Sequence, residues 1–549
     1  MDEVTLRSLV ARGEGEQLEF KRGTAEFSDL AEAVVCLANH RGGWVLLGVD
    51  DRGRITGCDH DVGLLKRAIF DSTQPPLTVD VEEAEVSEGR VLCIRVPETP
   101  WVVATARGRY LRRSGTDCLP VPPTALLELM VSRGQVDLSR LVVRGACLHD
   151  LDPAQLGSLR ELLRLRGRAP DLVALREMDL MVTLGLVEQA GDEARPTVTG
   201  MVALGYPAAL TRFVTQWEIK YLHFDASGRP ETREEIRLPL VLALRRLEEL
   251  VELRNSRVAV PVGMARVEIA EFPPEVYREA VLNALCHRDL SRVEPIYVYH
   301  HPDRLTVSSP GGLPGDITPD NIIRHRAYHR NPTLALLVER LGYVERAGIG
   351  VDMMFRVCLE QGKEPPEIRA TPDSVEVILR NGKVAASFVR FVQRRVEQGK
   401  LLSLDELLVL NHFRRHPEID RAGAARVCQC SDREAADILD GMVNRGLLVR
   451  LGRTRGSTYR LHSAVIGELG DWAAKAMPHP PYPDTAALRL VAERGFLTAG
   501  DCRQVLGLTP AQSRRFLKAL VEKGWLERRG TGRGARYVRG PVQPEPQDQ

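Results

Sequence analysis

The sequence predicts a multidomain α/β plus α chain, in which two α/β regions precede a helix-rich tail. Three observations predict it. At 549 residues the chain has room for about three or four domains of roughly 100–200 residues each. Strand-like apolar runs alternate with helical periods from Gly13 to about Met130, and again from Pro196 to about Gly382. Beyond residue 400 the strand signals thin out and one helical unit is written twice. The divisions that follow are 1–135, a helical connector at 136–195, 196–382, and two tail units at 400–465 and 484–540.

In the first region Gln17–Lys21 reads as a strand, and Ser28 caps a helix over Asp29–Asn39 with Leu30, Ala31, Val34, Val35 and Ala38 on its apolar side. Gly42-Gly43 ends that helix. Trp44–Val49 is a buried strand, Asp50–Gly53 a turn, and Arg90–Val96 and Arg109–Arg112 are further strands. The connector carries helices at Pro153–Arg166 and Asp171–Leu184. The second α/β region holds strands at Trp217–Phe224, Ile296–Tyr299 and Arg304–Ser308 and a helix at Pro274–Arg288. Pro478–Pro483 marks a linker inside the tail.

Composition excludes several classes. With AVILMFWYC at 44% and charged residues at 27%, long disorder is excluded, and no apolar run reaches the roughly 20 residues that span a bilayer. The first residues, Met1-Asp2-Glu3, are acidic with no signal-like stretch, so the expectation is a cytoplasmic protein with no membrane partner. Ten cysteines are scattered from Cys36 to Cys502 without a CxxC pair, which predicts reduced thiols and no structural zinc. Seventy-five basic residues face seventy-four acidic ones, yet between Thr485 and Gly540 twelve Lys/Arg meet only four acids. That segment has a local charge of +8 and leaves −7 for the rest. Near-neutrality therefore conceals a basic end, and nucleic acid, RNA and/or duplex DNA, is the predicted partner.

Each tail unit reads as helix, turn, second helix, a Gly-Leu-Leu or Gly-Trp-Leu corner and a glycine-containing basic hairpin. This pattern resembles a tandem of winged helices, in which a recognition helix enters the major groove and a two-stranded wing presses cations on flanking phosphates. In the second unit Arg514, Arg515 and Lys518 lie on the recognition helix, and Arg528, Arg529, Arg533 and Arg536 flank the wing tip. The first unit is weaker, with ten Lys/Arg against eight acids between Leu401 and Ala464.

In the second α/β region Glu279 and Asn283 stand four residues apart on one helix face, an arrangement that joins a water-activating acid to an amide oxygen able to hold magnesium. Ser309-Pro-Gly-Gly-Leu-Pro314 and Ala347-Gly-Ile-Gly350 follow, and glycines before a helix leave N–H groups free for phosphate. These motifs resemble the GHKL nucleotide-binding fold, an α/β sandwich, in the divergent form of bacterial regulators similar to the C-terminus of a RecG-like helicase. The resemblance implies ATP with Mg²⁺, Glu279 as general base, Asn283 as magnesium ligand, and Gly312, Gly348 and Gly350 beside phosphates. The Asp-x-Gly-x-Gly that reads adenine in that fold is here Ser308-Ser309-Pro310-Gly311-Gly312, so the adenine-reading carboxylate is missing. His300-His301 and the pair His325 and His329 find no third ligand in sequence, and zinc is not predicted.

At the N-terminal end Leu18 and Phe20 face the core of a period-two strand while Glu19 and Lys21 share its other face. Glu14 precedes that strand and Asp50 ends the next one. Three acids and a lysine suit metal-assisted phosphodiester cleavage, with Glu14, Glu19 and Asp50 as Mg²⁺ or Mn²⁺ ligands and Lys21 steadying phosphate charge. Together with Leu30–Asn39, Gly42-Gly43 and Leu46–Asp51, these residues resemble the AlbA-type domain of the Schlafen family. The resemblance implies nucleic-acid binding and, in some members, metal-dependent cleavage of tRNA and rRNA through two glutamates and an aspartate, matched here by Glu14, Glu19 and either Asp50 or Asp51; it leaves room for a homodimer. The hairpin Arg107–Arg113 adds a basic strip, with Arg112 and Arg113 as backbone contacts. Two readings stay open. One is a metal-dependent endonuclease acting on tRNA-like RNA in stress or antiphage defence, with a nucleotide-sensing central domain. The other is a non-catalytic, ATP-binding transcription regulator that binds DNA through its winged helices.

Overall fold

The computed structural model describes every residue except 167–168, 192, 263–264, 327, 344–349, 383, 452–456, 474–482, 505–509, 531–534 and 543–549. Helix α1 (Glu3–Arg12) leads into β1 (Leu18–Lys21), α2 (Phe27–Ala38) and β2 (Gly43–Leu47). A hairpin of β3 (Asp80–Val86) and β4 (Gly89–Val96) completes a four-stranded sheet in the order β1-β2-β4-β3. A second hairpin, β5 (Leu111–Ser114) and β6 (Asp117–Pro120), and helix α3 (Pro123–Ser132) follow. The sheet has two apolar faces. Val45 and Leu47 pack on α2, whereas Leu18, Phe20 and Leu46 pack with Leu6 of α1.

Helix α2 begins two residues earlier than the sequence implies, with Glu26 at the cap position, so Ser28 lies inside the first turn rather than capping it. Gly43 has φ 144°, and a Cβ there would run into the Gln17 carbonyl as β1 and β2 pair, which is why glycine ends the connection. Cys36 of α2 and Cys118 of β6 form a disulfide across 82 residues with Cα atoms 5.9 Å apart. This corrects the expectation of uniformly reduced thiols, because spacing along the chain says nothing about partners that the fold brings together.

The connector is not a separate layer. Leu156, Leu159, Leu163, Leu180 and Leu186 share one apolar core with Val276, Leu285, Val298, Val307 and Leu337. Strand β7 (Ile219–Phe224), β8 (Pro230–Ile236), helix α4 (Leu240–Glu252) and helix α5 (Pro274–His287) open the central sheet region. Strands β9 (Ile296–His301) and β10 (Arg304–Pro310), helices α6 (Pro332–Arg340) and α7 (Gly350–Glu360), and strands β11 (Glu367–Ala370) and β12 (Ser374–Arg380) complete it. Six strands run in the order β8-β7-β9-β10-β12-β11, antiparallel except where β7 meets β9.

The tail repeats one order of elements. The first copy is α8 (Leu404–His412), β13 (Ile419–Asp420), α9 (Arg421–Val427), α10 (Asp432–Asn444) and the hairpin β14 (Leu448–Leu451) and β15 (Thr458–Leu461). The second is α11 (Pro483–Arg494), β16 (Leu497–Thr498), α12 (Ala499–Gln504), α13 (Pro510–Glu522) and the hairpin β17 (Leu526–Arg529) and β18 (Arg536–Arg539). In each copy the short strand pairs with the last one, giving the orders β13-β15-β14 and β16-β18-β17. Capping boxes Ser403/Glu406 and Ser431/Glu434 start α8 and α10. The linker proline run, apart from Pro483, lies outside the described residues.

Candidate functional site

Strand alternation places Glu19 and Lys21 on one face of β1, where Glu19 is only 7% exposed. Both oxygens of Glu19 are taken. Lys21 Nζ donates to Oε1 and Arg113 Nη1 to Oε2. Arg113 also donates from Nε to Gly15 O at 2.9 Å and from Nη2 to Leu18 O at 3.2 Å. Arg113 is thus a buried structural cation and not the surface contact the basic strip predicts, because β5 alternates and turns Leu111 and Arg113 inward while Arg112 faces solvent. Glu14 joins the cluster. Its Oε1 accepts from Phe20 N at 2.9 Å, and burial, with Glu19 nearby, pushes its carboxyl up.

Asp50 stands apart from this cluster. Its Oδ1 accepts from the backbone of Arg52 and Arg54 at 3.0 and 2.9 Å, and its Oδ2 from Arg54 Nε at 2.9 Å. The Arg54 N–H holds its carboxyl below the usual range, and the residue closes its own turn. Among the described residues no group of three acids, histidines or cysteines is arranged to hold a metal ion. Mg²⁺ or Mn²⁺ bound jointly by Glu14, Glu19 and Asp50 therefore does not fit the arrangement present: Asp50 is spent on its own turn, and each Glu19 oxygen already accepts from a cation.

On the opposite face of the same sheet lies a groove of about 580 Å³ between the end of α1 and the strand row Leu18–Trp44–Arg95. Arg12, Arg41 and Arg95 line it together with Glu14, Glu16 and Glu98, and none of the three arginines makes a side-chain hydrogen bond or ion pair among the described residues. Trp44 supplies an indole wall. Sequence reasoning missed these four residues because they come from three separate elements, and nothing local marks them.

The central region brings Glu279, Asn283, Gly312 and Gly350 around one cavity of about 450 Å³. Gly348 lies outside the described residues. Val307, Val375 and Val377 of the sheet, Ala335 and Leu336 of α6 and Met354 of α7 give it an apolar lining. A Cβ at Gly350 would collide with Glu279 Oε1, so glycine there lets that carboxyl keep its present position. Burial raises the Glu279 carboxyl to about 7, with a hydrogen bond from Asn283 opposing the rise. Ser308 of β10 stands where the adenine-reading acid is expected, and its neighbour Ser309 donates its hydroxyl to Ala284 O at 3.1 Å. A glycine-lined cavity with an amide and an acid fits the sugar-phosphate side of a nucleotide, and its base-reading side has no carboxylate at that position.

The histidines have other work. His287, held near 4 by burial, stacks on His329 with centroids 6.0 Å apart. His325 Nε2 meets Asp316 at 2.9 Å, and His300 Nδ1 meets the Tyr221 hydroxyl at 2.8 Å.

In the second tail copy Arg514, Arg515 and Lys518 are exposed along α13, whose Leu517 and Leu520 are buried. Arg528 and Arg529 on β17 and Arg536 on β18 are exposed beside them, with Arg536 over the Phe496 ring at 4.4 Å. Arg533 lies outside the described residues. No helix among the described residues is long and apolar enough to cross a membrane.

Known proteins resemble the chain in parts. Residues 14–122 match the family model Schlafen, AlbA_2, residues 294–379 the model described as ATP-dependent DNA helicase recG C-terminal, and residues 402–549 the model DNA glycosylase AlkZ-like. No curated protein matches. The fold is similar to that in the crystal structure of the DIP2311 protein from Corynebacterium diphtheriae, at 24% identity over 98% of each chain and a TM-score of 0.50. The third model adds what the sequence reading lacked, a single family description spanning both tail copies. The chain thus joins, in order, segments similar to a Schlafen AlbA_2 domain, a recG C-terminal domain and an AlkZ-like domain.

Proposed function

We propose that the protein is a non-catalytic nucleic-acid-binding regulator that grips duplex DNA through the second tail copy, read as a winged helix. One observation carries this reading. The third helix and the hairpin of that copy present seven exposed described cations, Arg514, Arg515, Lys518, Arg528, Arg529, Arg536 and Arg539, on the two elements that a winged helix lays against a duplex. Similarity of residues 402–549 to an AlkZ-like DNA glycosylase model supports DNA as the partner of this end. The N-terminal groove, with Trp44 and three arginines that have no ion-pair partner among the described residues, suits a single-stranded stretch, stacked on the indole and held by its phosphates. The central cavity is the nucleotide sensor, with Asn283 positioned to hold the ion that accompanies phosphates.

Cleavage is the competing reading, supported by the adjacency of Glu14, Glu19 and Lys21. Labelled duplex DNA, single-stranded DNA and tRNA are incubated with the protein, with and without Mn²⁺, beside Glu14→Ala. The expected result is intact substrates and salt-sensitive duplex binding. Mn²⁺-dependent cleavage that disappears in Glu14→Ala would replace regulation by nuclease chemistry.

A further inference from the structure

The segment from Gly311 to Arg330, between β10 and α6, covers the central cavity, and its two sides face different things. Ile317, Ile322, His325 and Tyr328 line the cavity. The adjoining residues bind the first tail copy: Ile323 N donates to Gln429 Oε1 at 2.9 Å, Gln429 Nε2 to Pro319 O at 2.8 Å, and Arg324 Nε to Cys428 O at 3.1 Å. Arg324 also pairs with Asp405 at the start of α8. Ile323 itself is buried in the apolar core of that copy, beside Leu404, Leu407 and Cys428. At its other end the cover is tied to the N-terminal region, where Tyr328 donates its hydroxyl to Val131 O of α3 at 2.6 Å.

Gln429 has a distinctive backbone. Its φ of 52° is the only left-handed value at a non-glycine among the described residues. A side chain there costs free energy unless its surroundings repay it. They do so here through both ends of its carboxamide, which are spent on the cover.

We infer that the cover is a coupling element: occupancy of the central cavity and docking of the first tail copy are one linked equilibrium, transmitted through residues 317–326 and read by Gln429. A ligand filling the cavity contacts Ile322 and His325, whose chain neighbours Ile323 and Arg324 hold the tail. Whatever fixes the cover in its closed form favours docking, and docking in turn favours the ligand by the same factor. The inference adds a route from the nucleotide site to the nucleic-acid-binding tail, and its ligand arm rests on the nucleotide reading given above.

Hydrogen exchange on the full-length protein tests it. With ATP and Mg²⁺ as the probe, amides in 404–427 slow by about fivefold or more in the wild type and not in Gln429→Ala. Gln429→Ala alone speeds exchange in both 404–427 and 317–326 and leaves 153–166 unchanged, which separates lost coupling from failure to fold. A second arm needs no ligand: Ala335→Phe fills the cavity from α6 and slows exchange in 404–427. Calorimetric binding of ATP with no change in 404–427 overturns the coupling and keeps the nucleotide reading. If ATP does not bind, the nucleotide reading falls and Ala335→Phe decides the coupling, unchanged exchange in 404–427 overturning it.

Discussion

Arg112-Arg113 and Arg514-Arg515 are the same dipeptide used in opposite ways. On β5 the pleat sends Arg113 into the protein, where it is 4% exposed and neutralises Glu19, and leaves Arg112 outside. On α13 both arginines stay on the solvent side because the apolar stripe is carried by Leu517 and Leu520. The first pair therefore holds the fold with one member, whereas the second leaves both members free for a partner. Identical residues serve stability or contact according to the period of the element beneath them.

Substitutions sharpen that contrast. The largest effect belongs to Arg113→Ala, which leaves the buried Glu19 carboxylate with Lys21 alone, strips donors from the Gly15 and Leu18 carbonyls and lowers stability by about 3 kcal/mol, against a change within about 0.5 kcal/mol for Arg515→Ala. Denaturant unfolding of the two variants measures both. Equal losses would erase the distinction between inward and outward arginines.

Next comes Glu279, an inward acid with no cation beside it among the described residues. Its folded value of about 7 lies above the ordinary 4.5, so its neutral form is the one the fold favours. Its contribution is complete below pH 4.5 and is lost as pH rises through 7. Wild type accordingly loses up to about 3 kcal/mol relative to Glu279→Gln between pH 4.5 and 8, read from unfolding midpoints. Parallel pH profiles would show that the carboxyl is already ionised in the fold.

A smaller effect separates the two tail copies. Arg433→Ala on α10 changes duplex affinity by less than about twofold, because the first copy is nearly charge-balanced, whereas Arg515→Ala on α13 changes it by about tenfold at low salt. Fluorescence anisotropy with one duplex compares them. A loss at Arg433 as large as that at Arg515 would make both copies grip nucleic acid.

Local signals were legible in the sequence. The helix Pro153–Arg166 has the bounds expected, Leu18 and Phe20 face inward as their alternation requires, and Gly312, Gly350 and Asn283 reach one cavity with Glu279. The repeated order of tail elements was visible from its corner motifs and glycine-containing basic hairpins. What stayed hidden depends on distance along the chain. Arg113 reaches Glu19 across 94 residues, Cys36 reaches Cys118 across 82, and Gln429 reaches Pro319 across 110. Asp50 misled for the opposite reason: an aspartate after a strand satisfies its own turn as readily as it binds a metal. The connector merged into the central core because its leucines have the spacing of any amphipathic helix, and spacing does not say against what a helix packs.

The central claim, that duplex DNA is held by the exposed cations of the second tail copy, is tested most directly by the salt dependence of duplex affinity in the wild type and in Arg514→Ala/Arg515→Ala. The account predicts that the slope of log affinity against log salt shrinks by about two in the double variant, with unfolding stability unchanged. An unchanged slope in a folded double variant would contradict it.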